Sequence, residues 1–139
     1  AGRNELRDEL VPINKRYPLE MLMKACEDYL YAKNRRVTFE WALIAGVNDT
    51  DRDAEELAEL CKQLTPSAHV NLIPLNPTPG YLTQGSSGNH VRQFASWLED
   101  MGVNATVRRN RGTDIDAACG QLAAGQHISP VEITRREDI

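Results

Sequence analysis

Helical and strand patterns alternate three times along this chain, and short loops join them. Apolar residues recur at helical spacing over 19–33, 50–64 and 91–101, and strand-forming runs cover 37–44, 69–75 and 103–109. The order α-β-α-β-α-β predicts the α/β class, with right-handed crossovers, a parallel sheet and helices packed outside it. Because three strands do not close a barrel, the pattern is typical of a partial (β/α) barrel or a small open sheet.

The first strand pattern and the helix start after it carry two local predictions. Apolar side chains fall on both faces of the run 37–44, which predicts a strand buried on both sides. Glu40 lies at its centre and needs a partner there. Either it faces a polar barrel interior, or it pairs with an Arg or Lys as scaffold. Thr50 and Asp53 resemble a capping box at the start of the next helix.

Composition excludes several classes of protein. The 139 residues, 41% of them hydrophobic, suffice for one packed domain. The net charge of −4 excludes a generally basic, nucleic-acid-coating surface, although it permits a local basic patch. The 3 cysteines lack zinc or iron–sulfur spacing, and so sparse a set favours the reducing cytoplasm. Prolines interrupt the longest uncharged run, 63–91, which therefore predicts no membrane helix.

The two ends of the chain differ in character from its centre. The N-terminus is polar and begins without Met, which predicts an excised or processed piece. Residues 125–139 are charged and predict a flexible tail.

Functional sites in parallel α/β folds gather at the carboxyl ends of the strands, which selects three loops of this chain. The first loop, 46–49, contains ordinary turn residues and is interpreted as structural. The second, 76–80, is rich in proline and contains Asn76, whose amide suits a carboxylate, an amine or a base edge. A rigid turn is an equally good interpretation of that loop.

The third loop, 108–120, is the most informative. Arg108, Arg109 and Arg111 form a compact cationic group that suits phosphate contacts, although a solvated charge cluster is the commoner reason for such a group. Cys119 lies among small residues and off any apolar period, which makes it a candidate reactive thiol.

The remaining candidate ligands have simpler interpretations. Cys26 and Cys61 fall on apolar helical stripes and are predicted to fill the core. The three histidines have no mutual metal-binding spacing, so they are interpreted as structural or surface residues: His69, His90 and His127.

Three segments resemble one family in the same order: residues 7–15 (RDELVPINK), 71–77 (NLIPLNP) and 108–122 (RRNRGTDIDAACGQL). They are similar to segments of the RlmN/Cfr radical S-adenosylmethionine methyltransferases, and the third resembles the RlmN branch more than the Cfr branch. The resemblance covers residues 1–124 and implies the C-terminal half of a radical S-adenosylmethionine partial TIM-barrel domain. It implies methylation of adenine C2 in 23S ribosomal RNA and in tRNA.

The resemblance also implies roles for single residues. Cys119 matches the cysteine that first accepts a methyl group from S-adenosylmethionine. A 5′-deoxyadenosyl radical, formed from a second S-adenosylmethionine at a [4Fe-4S] cluster, then removes hydrogen from that methyl group, and the resulting radical adds to the adenine. Asn76 matches a residue that contacts S-adenosylmethionine. For Arg108, Arg109 and Arg111 we expect contacts with RNA phosphates near Cys119 in the complete enzyme.

Several parts of the family pattern are missing from this chain. The cysteine motif that holds the cluster, the second cysteine that resolves the protein–RNA adduct, the acidic base and the N-terminal RNA-binding region do not occur. We therefore expect the chain alone to hold no cluster and to be inactive. The alternatives are a non-catalytic α/β binding or oligomerisation module that retains the scaffold, and a redox thiol protein using Cys119. Truncation exposes sheet edges, which predicts a homo-oligomer of the isolated chain.

Overall fold

The computed structural model describes residues 1–64, 68–75 and 83–108. Within them, four helices and three strands follow one another: α1 (Asn4–Leu10), α2 (Leu19–Lys33), β1 (Val37–Leu43), α3 (Asp51–Lys62), β2 (Ala68–Pro74), α4 (Gly88–Asp100) and β3 (Ala105–Val107). A 3₁₀ turn, Pro12–Lys15, joins α1 to α2. The alternation predicted from the sequence is confirmed, and α1 is an addition to it.

The strands form one parallel sheet in the order β1-β2-β3. Val37 pairs with Ala68 at the start of the two longer strands, and Val70 pairs with Ala105. Helix α3 connects β1 to β2 and α4 connects β2 to β3, so both connections are helical crossovers. The predicted parallel α/β architecture is confirmed, although β3 is shorter than the predicted strand over 103–109.

The core lies between one face of the sheet and helices α3 and α4. Leu43, Val70 and Leu72 are fully buried on that face, and Trp41 stacks on Phe94 of α4 with ring centroids 6.2 Å apart. The helical stripes supply the opposite wall, with these members buried: Met23, Leu57, Cys61, Val91, Phe94 and Leu98. Burying one such large side chain stabilises the fold by about 1.5–3 kcal/mol, so this layer fixes the sheet against the helices.

The helix ends follow their sequence signals. Thr50 accepts a hydrogen bond from the Asp53 backbone, and the Asp53 side chain accepts one from the Thr50 backbone, which confirms the capping box. Gly102 has φ +79 just after α4, a conformation that glycine adopts without strain. Because caps are local, these boundaries could be predicted closely.

Helix α1 is held by polar side chains. Asn14 is 1% exposed, accepts a hydrogen bond from Arg7 at 2.9 Å, and donates to Asn4 and Asp8. Asn4 in turn accepts from the backbone N–H of Leu19 at 2.9 Å. This network joins α1 and the 3₁₀ turn to the start of α2, and it explains why a helix with no buried residue forms here.

Candidate functional site

The face of the sheet that α3 and α4 leave uncovered is polar, and its central residue, Asn71, is 8% exposed. Glu40, Asn71 and Thr106 occupy paired register positions on the three strands, so their side chains lie in one row across the sheet. Asn71 Nδ2 donates to Glu40 Oε1 at 2.9 Å. The same carboxylate oxygen lies 4.0 Å from the Arg108 guanidinium. Side-chain exposure is 50% for Glu40 and 61% for Arg108, so a carboxylate and a guanidinium are both accessible to a ligand.

This row answers the question that the sequence left open about Glu40. The side chain lies on a polar face, and it has both an amide and an arginine as partners. The prediction that β1 is buried on both sides is wrong, because Thr38, Glu40 and Ala42 are exposed while Trp41 and Leu43 are buried. In β1, side chains alternate between the covered and the open face of the sheet.

A second pair of polar side chains crosses the same face. His69 Nε2 lies 3.0 Å from Thr106 Oγ1 and joins β2 to β3. No metal-binding role is needed to explain this histidine, as its sequence context indicated. The two contacts, Glu40–Asn71 and His69–Thr106, together make a polar layer that spans three strands.

Arg108 lies where β3 ends. Its backbone N–H donates to the Leu72 carbonyl at 2.8 Å and so continues the pairing with β2 by one residue. Its side chain reaches the Glu40 carboxylate across the sheet. Of the predicted cationic group, only this member is positioned, since Arg109 and Arg111 lie outside the described residues.

The loop after β1 is built around one asparagine. Asn48 is 3% exposed; its Oδ1 accepts from the Ile44 N–H and its Nδ2 donates to the Ala42 carbonyl, both at 2.8 Å. The amide thus replaces a neighbouring strand for two backbone groups at the end of β1. This geometry agrees with the structural interpretation of the loop 46–49.

Asp49, Ser86 and His90 form a cluster that the sequence analysis did not find. Ser86 Oγ donates to Asp49 Oδ2 at 2.7 Å, and His90 Nε2 lies 2.6 Å from the Asp49 carbonyl and 3.3 Å from Oδ2. Because the serine and the histidine both bind the aspartate, the cluster joins two loops rather than forming a Ser–His nucleophile pair. The residues are 37 and 41 positions apart from Asp49, so no spacing signal could indicate them.

The segment 83–87 closes over the carboxyl edge of the sheet. The Ala45 N–H donates to the Gln84 carbonyl at 2.8 Å, and Gly85 forms an isolated antiparallel bridge with Ile44. A Cβ on Gly85 would lie 2.5 Å from the Leu75 carbonyl oxygen, so a glycine is needed for this approach. The chain therefore leaves the end of β2 at Leu75 and comes back into contact with Leu75 at Gly85. Asn76 follows Leu75 directly and lies outside the described residues.

The cysteines of the described region belong to the core. Cys61 is 3% exposed, and burial raises the pKa of its thiol to about 11. Burial also raises the pKa of the partly exposed Cys26 thiol. The prediction that Cys61 fills the core is confirmed, while Cys26 is partly buried and packs against the edge of the core. Residues 1–64, 68–75 and 83–108 contain no group of three His, Cys, Asp or Glu side chains that could hold a metal ion. They do not fit an iron–sulfur cluster, and Cys119 lies outside them.

The helices that the structure describes include no candidate membrane span. None of them combines the length and the apolar character that a bilayer crossing requires.

The chain is similar in sequence to proteins named as RNA methyltransferases. It is 54% identical over 122 residues to the probable dual-specificity RNA methyltransferase RlmN of Pelotomaculum thermopropionicum, a match that covers 88% of this chain and 33% of that protein. It is 49% identical over 137 residues to the dual-specificity RNA methyltransferase RlmN of Erythrobacter litoralis, covering 97% of this chain and 33% of the relative. The chain thus spans about one third of the length of these relatives, in their C-terminal part. No protein-family model matches the chain.

The fold is similar to two solved structures. A radical SAM methyltransferase from Sphaerobacter thermophilus superposes with a TM-score of 0.82 at 50% identity, over 87% of this chain and 35% of that one. A domain of a pyruvate-formate lyase-activating enzyme from Bacteroides vulgatus gives a TM-score of 0.58 at 21% identity, over 76% of this chain and 61% of that one, and shows likeness of fold alone. By sequence and by fold, the chain corresponds to the C-terminal part of the RlmN-type radical SAM methyltransferases.

Proposed function

We propose that this chain is the C-terminal part of the catalytic domain of an RNA methyltransferase that modifies adenine C2 in 23S ribosomal RNA and tRNA. The observation that carries the proposal is the near-50% identity to proteins named RlmN over most of the chain. The end of β3 supports it, because Arg108 lies at the carboxyl end of that strand, and α/β enzymes bind their ligands at the carboxyl ends of parallel strands.

In this proposal Cys119 is the methyl acceptor. Its thiolate attacks the methyl carbon of S-adenosylmethionine, the carbon–sulfur bond of the sulfonium breaks, and S-methylcysteine and S-adenosylhomocysteine result. In the sequence, Cys119 lies off any apolar period. Cys26 and Cys61 lie on apolar helical stripes, and burial raises the pKa of both thiols. A [4Fe-4S] cluster supplies the radical chemistry of the complete protein, with ligands from outside this chain, and the isolated chain is inactive.

The other predicted site residues have binding roles. Asn76 contacts S-adenosylmethionine at the carboxyl end of β2. Arg108, Arg109 and Arg111 hold RNA phosphates, and the guanidinium of Arg108 lies 4.0 Å from the Glu40 carboxylate that Asn71 binds. For Arg111→Ala in the complete enzyme we expect weaker RNA binding and a smaller salt slope, by about one unit per phosphate contact. An unchanged affinity and slope contradicts the role.

The test of the methyl acceptor uses the complete enzyme and three cysteine variants. Cys119→Ala is expected to abolish methylation of unmodified ribosomal RNA and tRNA, and the peptide containing residue 119 is expected to lose its added methyl group in mass spectrometry. Cys26→Ala is the matched control, since it removes a thiol from the same chain without touching the proposed acceptor. Cys61→Ala controls for loss of core packing. RNA methylation that persists in Cys119→Ala refutes the proposal. A wild-type enzyme that binds S-adenosylmethionine but transfers no methyl group, either to Cys119 or to RNA, favours the binding-module alternative.

Assembly of the isolated chain stays a prediction. β1 and β3 are the edges of the described sheet, and unpaired edges favour pairing between copies. Light scattering of the isolated chain measures this, and a monomer at all concentrations contradicts it. The cytoplasmic location of the protein likewise stays a prediction.

A further inference from the structure

The corner between α2 and β1 has an unusual charge. Helix α2 ends at Lys33, and Asn34 adopts a left-handed conformation with φ 49 and ψ 43. Arg35 and Arg36 follow before β1 begins. Residues 29–36, which we name the α2–β1 corner, contain three basic residues and no acidic one, in a chain of net charge −4.

Among the described residues, the cations of this corner have no acidic partners. Elsewhere Arg3 binds Asp53 and Glu56, and Lys24 binds Asp28. For Lys33, Arg35 and Arg36, no carboxylate of the described part of the chain lies within ion-pair distance, and all three are exposed. The helix dipole accounts for a cation in the last turn of α2, which is Lys33. It does not account for Arg35 and Arg36, which lie beyond the helix.

Two aromatic side chains accompany these cations. Tyr31 is 95% exposed and Tyr29 is 45% exposed. Tyr29 and Lys33 are four residues apart on α2 and are therefore neighbours on its surface. The ring of Tyr31, being almost fully exposed, presents a flat apolar surface to a partner. The combination of free cations with such a ring matches the two chemical groups of RNA, phosphate and unpaired base.

We propose that the α2–β1 corner is a second RNA-binding surface, in which Lys33, Arg35 and Arg36 contact phosphates and Tyr31 stacks on an unpaired base. The inference rests on the proposed function, which supplies RNA as the substrate. β1 separates the corner from the carboxyl edge of the sheet by seven residues, or about 20 Å. The corner therefore binds RNA well away from the reacting adenine, and it distinguishes long, folded substrates from short ones.

An acidic protein segment would satisfy the cations equally well. It would leave Tyr31 without a function, because a carboxylate does not stack on a phenol ring. RNA is therefore the partner we infer, because its phosphates account for the three cations and its bases account for the exposed ring of Tyr31.

The experiment compares two triple variants of the complete enzyme. The corner variant is Lys33→Gln with Arg35→Gln and Arg36→Gln. The matched control, Lys62→Gln with Arg16→Gln and Arg92→Gln, removes the same charge and the same residue types from exposed positions on other parts of the described surface. Like the corner cations, these three form no ion pair with a described carboxylate. Tyr31→Leu tests stacking separately. The substrates are unmodified, protein-free 23S ribosomal RNA and a short stem-loop that contains the target adenine.

For the corner variant we expect KM for the long RNA to rise about 5-fold to 20-fold, and the salt slope of binding to fall by about 2–3. The kcat value and the KM for the stem-loop stay unchanged. Tyr31→Leu raises KM for the long RNA about 5-fold or more. The control variant matches the wild type on both substrates, and unchanged urea midpoints show that all variants are folded.

Three results overturn the inference: equal KM values for the corner and control variants, an equal loss on the stem-loop, or loss of binding to a poly-glutamate peptide while RNA binding is retained. The last result assigns the corner to an acidic protein partner. Failure of the proposed function is distinguishable from all of these. In that case the wild type methylates neither RNA. Filter binding still measures how RNA affinity depends on salt in the wild type and in the corner variant, so the contribution of the corner can be determined.

Discussion

Asn48 supports the edge of the candidate site, and its removal has a calculable cost. The side-chain amide makes two hydrogen bonds of 2.8 Å, one from the Ile44 N–H and one to the Ala42 carbonyl. Asn48→Ala removes both partners at once. The two backbone groups then depend on whatever water can enter beside a residue that is 3% exposed.

The magnitude follows from those two bonds. Each ordinary hydrogen bond contributes about 0.5–1.5 kcal/mol net, and a buried group left without a partner costs about 1–3 kcal/mol. Because Ala42 is exposed and Ile44 is half-buried, water recovers part of this cost. We therefore expect Asn48→Ala to lower the free energy of unfolding by about 2–3 kcal/mol. With a urea m-value of about 1.5 kcal/mol/M, the midpoint falls by about 1.3–2 M.

Urea unfolding followed by the fluorescence of Trp41 and Trp97 measures the change. Asn104→Ala is the matched control, because Asn104 is exposed and the same substitution there is expected to cost under about 0.5 kcal/mol. The reasoning is refuted if Asn48→Ala lowers the free energy of unfolding by less than about 1 kcal/mol, or if the two variants lose the same amount. Either result would mean that the Asn48 amide does not take the place of a neighbouring strand for the backbone at the end of β1.

Three further predictions concern neighbouring features. Gly85→Ala is expected to destabilise the fold by about 1–3 kcal/mol, because the new Cβ would lie 2.5 Å from the Leu75 carbonyl oxygen; an unchanged melting temperature contradicts this. Cys61 has a thiol pKa raised from 9.0 to about 11, so its contribution to stability is complete below pH 9 and is lost as pH rises toward 11. Urea midpoints between pH 8 and pH 10.5 are expected to fall less in Cys61→Ala than in the wild type, and parallel curves refute the assignment. Glu40→Gln keeps an acceptor for Asn71, and the exposed pair it disrupts lies at 4.0 Å, so we expect thermal unfolding to change by under about 1 kcal/mol; a larger loss would make Glu40 a structural rather than a ligand-facing residue.

Local signals made much of the fold predictable. The extent of α2, the capping box at Thr50 and the glycine after α4 each depend on residues within one or two helical turns of one another. The parallel order of the strands follows from the alternation of elements, because a helical connection returns the chain to the same edge of the sheet. These features can be predicted without knowing which residues pack against them.

Other features depend on contacts between distant residues. Helix α1 forms although none of its residues is buried, because Asn14 binds side chains six to ten positions away. The open face of β1 could not be distinguished from a buried one, since Ala42 is apolar yet exposed. The link from Asp49 to Ser86 and His90 crosses a whole βα unit. The partner of Glu40 was uncertain for the same reason, because it comes from β2 and β3.

The contact between Leu75 and Gly85 determines how the loop after β2 can vary. Nine residues separate these two positions, and they meet at the base of the loop. The entropy lost on closing such a loop grows only with the logarithm of its length, so a doubling costs about 0.6 kcal/mol. We therefore expect insertions between the two anchors to leave the sheet intact, so that the length of this loop can change while the strands beneath it stay the same.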